Sequence, residues 1–214
     1  MGPDTAAIDE ILQLIGVFVS FSIAFVSYKG VRRTDSTTLM RLTTAFVFLG
    51  LGFLVEGLVG LSGALPWLPS VTATMVVLGL VLETTGYFFL AFSHAIDVML
   101  SKRLALGVLV FPVLAFNGTE MSNLLSILSF YFVLYGVVET LYSYKATRRP
   151  DTLLIAGGLA LLASGILAQW LSIMYISVNL LPLVEILLKE MGLMMLFVPV
   201  LGYVFGREKV SGPI

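Results

Sequence analysis

The first apolar run of the chain, ILQLIGVFVSFSIAFVSY (11–28), stops at the basic sequence KGVRR (29–33). A run of this length suits the hydrocarbon core of a bilayer, which is about 30 Å thick. The acidic residues Asp4, Asp9 and Glu10 precede it, whereas a cleavable signal peptide would begin with a basic region. The run therefore predicts a first transmembrane helix that enters the membrane from outside.

The composition extends this interpretation to the whole chain. Of its 214 residues, 58% are hydrophobic and 12% are charged, and the mean hydropathy is +1.03. A soluble domain has about a quarter of its residues charged, so this chain has too little polar surface for water. The absence of cysteine excludes disulfides and thiolate metal sites. We predict an integral membrane protein with the lipid bilayer as its main partner, no metal site and no nucleic-acid partner.

Hydropathy and turn residues predict an all-α polytopic bundle of seven transmembrane helices. The fourth predicted span has only 14 residues, which rise about 21 Å as a helix, so it must be tilted or lie in a thin region. The predicted spans, with approximate edges, are 8–28, 39–61, 71–96, 104–117, 121–145, 152–176 and 179–206.

The basic residues predict the orientation of the bundle. Eleven of the twelve Lys and Arg residues fall on alternate connections and on the C-terminal tail. Cytoplasmic loops are enriched in Lys and Arg. We therefore predict a multi-pass protein of the cell membrane with its N-terminus outside and its C-terminus in the cytoplasm. The eleven residues are Lys29, Arg32, Arg33, Arg41, Lys102, Arg103, Lys145, Arg148, Arg149, Arg207 and Lys209.

Similar sequences recur in the two parts of the chain. Residues 28–35 match residues 144–151 at an offset of 116, and 52–56 resemble 165–169. In the third and seventh spans, Glu83 with Gly86 resembles Lys189 with Gly192. We predict one transmembrane domain, 1–214, that contains a parallel duplication. Its predicted parts are repeat A (about 8–97), a linker helix (about 103–117) and repeat B (about 121–206).

Polar side chains inside the predicted spans are the candidate functional residues. A charge at mid-membrane costs about 2.5–3.5 kcal/mol or more, so such groups face the bundle and find partners. Glu185 and Lys189 share a helix face, and the duplication would bring Glu83 toward Lys189. We predict a buried Glu83–Lys189–Glu185 cluster with Glu56 and Glu190 nearby, and with Gln169 and Glu139 as further candidates for a ligand or ion pathway. The alternatives are a static ion-pair network and a covalent role for Lys189.

The Glu185-x-x-x-Lys189 sequence in an N-out seven-helix plan resembles the microbial rhodopsins. In that family a lysine on the seventh helix carries retinal as a Schiff base, with one carboxylate a turn earlier and another on the third helix. The resemblance implies retinal on Lys189, with Glu185 and Glu83 as counter-ions. Two departures are the absence of an aromatic residue at Ala163-Ser164-Gly165 and of the family's Arg and Trp on the third helix. The parallel plan of three, one and three helices is also similar to the SWEET transporters. Apart from retinal, no cofactor is predicted.

Three classes of function fit these features. The first is a small transporter or a conductor of ions or protons, with the carboxylates and Lys189 between the repeats, where secondary transporters place their sites. The second is a structural subunit that binds copies of itself or other partners in a larger membrane complex. The third is a rhodopsin-like photoreceptor or pump. We do not expect an enzyme, because the sequence has no Ser/His/Asp arrangement, no HExxH and no glycine-rich phosphate loop.

Overall fold

The computed structural model describes residues 3–64, 73–94, 118–174 and 181–206, and these ranges are α-helical apart from two short turns. The first three helices are α1 (Pro3–Thr34), α2 (Thr37–Ala64) and α3 (Ala73–His94). The last three are α4 (Gly118–Thr147), α5 (Pro150–Met174) and α6 (Leu181–Gly206). We call α1–α3 the first half and α4–α6 the second half.

The prediction of a seven-helix bundle is wrong for this structure. The described residues form six helices, and five of them, α1–α5, are long and apolar enough to cross a membrane. Helix α6 is set apart because three ionisable residues, Glu185, Lys189 and Glu190, interrupt its apolar sequence. The predicted fourth span and linker, 103–117, lie outside the described residues. Hydropathy counts that short apolar run as a span although 14 residues do not match the thickness of a bilayer.

The six described helices pack as a closed ring. Each helix packs against its neighbours in the chain, α3 packs against α4, and α6 returns to pack against α1. The centre is filled by apolar side chains from all six helices, including Ile23, Phe46, Leu90, Val133 and Leu162. Large apolar side chains also point outward, as Phe18 does at 75% exposure. An apolar exterior of this extent suits lipid rather than water, and the protein is a multi-pass membrane protein.

Helices α3 and α4 run in the same direction. Their contacts advance together along both helices, from Thr84 with Ser129, through Phe88 with Phe132, to Phe92 with Tyr135. The other neighbouring pairs within each half are antiparallel, as the contacts of Gly50 with Phe21 and of Gly60 with Glu10 demonstrate for α1 and α2. The ends of α1, α3, α4 and α6 therefore lie at one end of the ring, and their starts at the other.

The two halves begin with the same helix–turn–helix geometry at an offset of 113 residues. Asp35 and Arg148 each have a φ of 54°, and each donates its N–H to the carbonyl oxygen four residues earlier, at 2.8 and 2.7 Å. This is the left-handed cap that ends many helices. The sequence match at an offset of 116 is therefore out of register by three residues, because Lys and Arg anchors near a helix end resemble one another in either alignment. The duplication itself stays a prediction.

The charges of the ring are unequally distributed between its ends. The described Lys and Arg residues other than Lys189 all lie at the end formed by the α1–α2 and α4–α5 turns, which we call the basic end: Lys29, Arg32, Arg33, Arg41, Lys145, Arg148 and Arg149. The described part of the opposite end contains Glu10 and Glu120 but no Lys or Arg. The basic end thus has the composition expected for a cytoplasmic surface.

Candidate functional site

Glycines bring helix pairs close together at two equivalent places. A Cβ added at Gly52 on α2 would lie 2.6 Å from Glu83 Cγ and 3.2 Å from the carbonyl oxygen of Gly79 on α3. A Cβ added at Gly165 on α5 would lie 2.8 Å from Lys189 Cγ and 3.0 Å from the carbonyl oxygen of Glu185 on α6. Close backbone approach through small residues is typical of membrane helices. The side-chain stems of Glu83 and Lys189 pack in the space that a larger residue at Gly52 or Gly165 would fill.

Glu83, Lys189 and the partly buried Glu185 form an ion-paired group, which we call the central triad. Lys189 Nζ donates to Glu83 Oε2 at 3.2 Å and to Glu185 Oε1 at 3.1 Å. Glu83 and Lys189 are 1% and 0% exposed, respectively. Since α3 and α6 are not adjacent in the ring, the Lys189–Glu83 pair crosses its centre and joins the two halves.

The carboxylates around the central triad outnumber its single cation. Glu56 on α2 lies close enough to interact electrostatically with each member of the triad. Glu190 interacts with Lys189 and Glu83. The hydroxyl of Tyr87, on α3 one turn beyond Glu83, is buried and has no hydrogen-bond partner in the part of the chain that the structure describes. One lysine faces four carboxyl groups, so the remaining negative charge requires protons or a bound cation.

The halves meet along two seams, which we define by their helices. The first seam is the contact of α3 with α4, where the hydroxyls of Thr84 and Ser129 hydrogen-bond at 2.9 Å. The second seam is the contact of α1 with α6, where the Glu190 carboxyl lies against Gly16 and a Cβ added at Gly16 would overlap Glu190 Oε1. These are equivalent positions, because Ser129 follows Gly16 by 113 residues and Glu190 follows Thr84 by 106.

Glu190 is the unsatisfied carboxyl group of the second seam. It is 4% exposed, and within the described residues neither of its side-chain oxygens has a hydrogen-bond partner. Glu83 Oε1 is likewise buried, and the Glu56 carboxyl is the group nearest to serving as its partner among the described residues. Native proteins leave few buried polar atoms unpaired, so these carboxyl groups are the sites at which an external proton or ion would find a place.

A polar cavity opens at the basic end, away from the central triad. Its volume is about 470 Å³. Glu139 contributes a carboxyl oxygen that is buried and has no partner among the described residues. The cavity lies between α2, α3, α4 and α5, and its lining residues are Thr38, Ser93, Glu139, Thr140, Tyr142, Ser143, Thr152 and Ile155.

An apolar layer lies between this cavity and the central triad. Phe46, Leu90, Leu159 and Leu196 are buried in it around a void of about 40 Å³ whose lining is entirely apolar. An apolar void of this kind offers no hydrogen bonds to water. The layer therefore separates the cavity at the basic end from the central triad.

The structure divides the predicted site residues into two groups. Glu83, Glu185 and Lys189 are in direct contact, Glu56 and Glu190 lie beside them, and Gln169 is one turn from Gly165 on the same face of α5. Glu139 lies apart, at the cavity near the basic end. Their functional roles stay predictions.

Sequence reasoning missed the seam residues. The sequence pattern does not distinguish these residues because none of them is charged: Tyr87, Gly16, Thr84 and Ser129. The heptad spacing of Gln13, Ser20 and Ser27 was the available signal for a buried polar face on α1.

Among the described residues, no group of three or more His, Cys, Asp or Glu is arranged to hold a metal ion. Comparisons of the chain with models of known families, with curated proteins and with solved structures find no match. The resemblances to microbial rhodopsins and to SWEET transporters therefore stay predictions, as does retinal attachment to Lys189.

Proposed function

We propose that the chain is a small transporter or conducting protein for protons or other small cations. The observation that carries this proposal is the surplus of carboxyl groups near the centre of the ring, where the buried Glu83 and Glu190 and the partly buried Glu56 and Glu185 lie around Lys189. Burying several carboxylates beside one cation is costly unless some of them take up a proton or a further cation. An excess of carboxyl groups suits a site that exchanges protons or cations with its surroundings.

The arrangement of the site between the halves supports the same proposal. Membrane transporters built from repeats place their sites near the middle of the membrane, where the repeats meet. Here the central triad joins the two halves, and the cavity at the basic end leads toward it as far as the apolar layer. Movement of one half against the other would open that layer, so this conformation corresponds to a closed state of the pathway.

Flux measurements on the full chain test the proposal. The purified protein is incorporated into vesicles of phosphatidylcholine and phosphatidylglycerol that contain a pH-sensitive dye, and a potassium diffusion potential drives the ions. We expect the internal pH to change faster than in empty vesicles, and the Glu83→Gln, Lys189→Met double variant to lose the difference. Flux equal to that of empty vesicles under proton, sodium and potassium gradients would contradict the proposal.

We further propose that the basic end faces the cytoplasm of the cell that produces the protein, which places the N-terminus outside. Because the chain contains no cysteine, single-cysteine variants report accessibility cleanly. In intact cells a membrane-impermeant maleimide should react with a Ser62→Cys variant, at the far end of α2, and not with a Ser36→Cys variant in the α1–α2 turn. The reverse pattern would invert the orientation.

A further inference from the structure

The carboxyl group of Glu190 is held in a place where the described chain offers it no partner. Both of its oxygens lack hydrogen bonds, and the group lies against the backbone of Gly16 on α1. Burying a charge without a partner costs several kcal/mol. The group therefore needs a proton or a partner from beyond the described residues.

The face of α1 that meets Glu190 is polar at regular intervals. Gln13, Gly16, Ser20 and Ser27 fall on one side of the helix, one or two turns apart. The side-chain oxygens of Gln13, Ser20 and Ser27 are also buried without hydrogen-bond partners in the described structure. From the level of Glu190, this polar face continues along α1 toward the basic end.

The charged surroundings of Glu190 are limited. The titratable groups that interact with it are Lys189 on its own helix and Glu83 on α3. The facing parts of α1 and α5 contribute no titratable side chain at this level within the described residues. A metal ion would need several oxygen ligands, and no such group of acidic residues is assembled here, so the surroundings favour a proton.

We propose that Glu190 is the group that binds and releases protons in this protein, at the second seam, while the central triad stays ion-paired and fixed. The Glu190 carboxylate accepts a proton from water on one side, becomes a neutral carboxylic acid, and returns the proton to water on the other side. Gln13, Ser20 and Ser27 supply hydrogen-bonding groups along α1. This inference rests on the proposed function and assigns it to one residue.

The first experiment compares wild-type protein, Glu190→Gln and Glu190→Asp in the vesicles described above. We expect proton flux in the Glu190→Gln variant to fall to the level of empty vesicles and the Glu190→Asp variant to retain part of it. Infrared difference spectra between acid and alkaline buffer should contain the C=O stretch of a protonated carboxyl in the wild type, and Glu190→Gln should lack one component of that band.

The second experiment displaces the carboxyl without changing it. A Cβ at Gly16 would overlap Glu190 Oε1, so Gly16→Ala should move the carboxyl and shift the pH at which flux is half-maximal. Gly202→Ala on α6 is the matched control, because a Cβ there has nothing within 4 Å. We expect its flux and pH profile to equal those of the wild type.

The outcomes separate this inference from the proposed function. Wild-type flux that persists unchanged in Glu190→Gln would overturn the assignment of Glu190 and leave a transporter. Flux that follows a sodium gradient at constant pH, and is lost in Glu190→Gln, would overturn the proton and assign a metal cation. A silent wild type whose Glu190 infrared band still titrates would overturn the transport function and support proton binding.

Discussion

The two seams occupy equivalent positions in the ring, but their matching pairs, Thr84 with Ser129 and Glu190 with Gly16, are satisfied to different degrees. In the first seam, the Thr84 and Ser129 hydroxyls bond to each other, and Phe88 and Phe132 stack edge to face beside them, with ring centroids 5.4 Å apart. In the second seam, a glycine and a carboxyl group replace the hydroxyl pair, and the carboxyl has no partner among the described residues. Two hydroxyls satisfy each other's hydrogen-bonding capacity, whereas a carboxyl group that faces a glycine requires a proton or another hydrogen-bonding partner. The comparison suggests a structural role for the first seam and makes the second seam the candidate for a functional role.

The largest loss of stability should come from replacing Lys189, whose ion pair with Glu83 joins the two halves at the centre of the ring. The Lys189→Met variant keeps the length of the side chain but leaves Glu83 and Glu185 without their cation. Breaking a buried pair in this way costs about 3–5 kcal/mol. We expect the free energy of unfolding to fall by that amount, measured by titration of detergent micelles with sodium dodecyl sulfate.

A charge exchange provides the control for that loss. Since Glu83 and Lys189 lie at equivalent positions, the Glu83→Lys, Lys189→Glu double variant should be more stable than Glu83→Lys alone. If the double variant is less stable than that single variant, the two positions are not interchangeable and the comparison between the halves fails.

A smaller loss should follow from alanine at the close helix contacts of each half. A Cβ at Gly86 would lie 2.9 Å from the carbonyl oxygen of Ala45, and one at Gly192 would lie 2.8 Å from that of Gly158. Overpacking of this kind costs about 1–3 kcal/mol. Thermal unfolding in micelles should reveal similar losses of stability for Gly86→Ala and Gly192→Ala, and no loss of stability for Gly202→Ala. A loss confined to one half would contradict the equivalence.

The hydroxyl pair of the first seam should contribute less. A double-mutant cycle with Thr84→Ala and Ser129→Ala measures its coupling energy directly. Hydrogen bonds between membrane helices average about 0.6 kcal/mol and reach about 1.7 kcal/mol, and we expect a value in this range. A coupling energy of zero would mean that the pair does not hold the seam.

The smallest change in stability should come from copying the first seam into the second. The Gly16→Ser, Glu190→Thr double variant would place a hydroxyl pair where the carboxyl now lies. We expect the free energy of unfolding to stay close to that of the wild type, because a hydrogen-bonded hydroxyl pair replaces a buried carboxyl without a partner. Proton flux in vesicles should be lost. If the double variant still conducts protons, the difference between the two seams does not account for the flux.

Much of the fold follows from patterns that the membrane imposes. Apolar runs bounded by basic residues identify the helices, since a bilayer penalises any other backbone arrangement. The predicted span 39–61 lies within the observed Thr37–Ala64, for example. The described residues form six helices where seven were predicted, and the predicted fourth span, 104–117, lies outside them. Hydropathy alone counts a 14-residue apolar run as a span although it is shorter than a bilayer requires.

The site was partly predictable for a physical reason. Charges in an apolar sequence are conspicuous, and the spacing of Glu185 and Lys189 implies a shared face. The seams were not predictable in the same way, because Gly16 and Ser129 acquire meaning only from the helix packed against them. The sequence contains both offsets, 113 at 52–56 with 165–169 and 116 at 28–35 with 144–151, and the φ angles of Asp35 and Arg148 select 113.

The position of Lys189 opposite Glu83 has a consequence for how the two halves choose each other. Two copies of the first half around a common axis would set carboxylate against carboxylate at the centre, and two copies of the second would set ammonium against ammonium. One copy of each half gives the opposite charges that bond at 3.2 Å. The charge complementarity of Glu83 and Lys189 thus favours assembly of one first half with one second half. Separately expressed halves should therefore form mixed pairs in preference to pairs of identical halves.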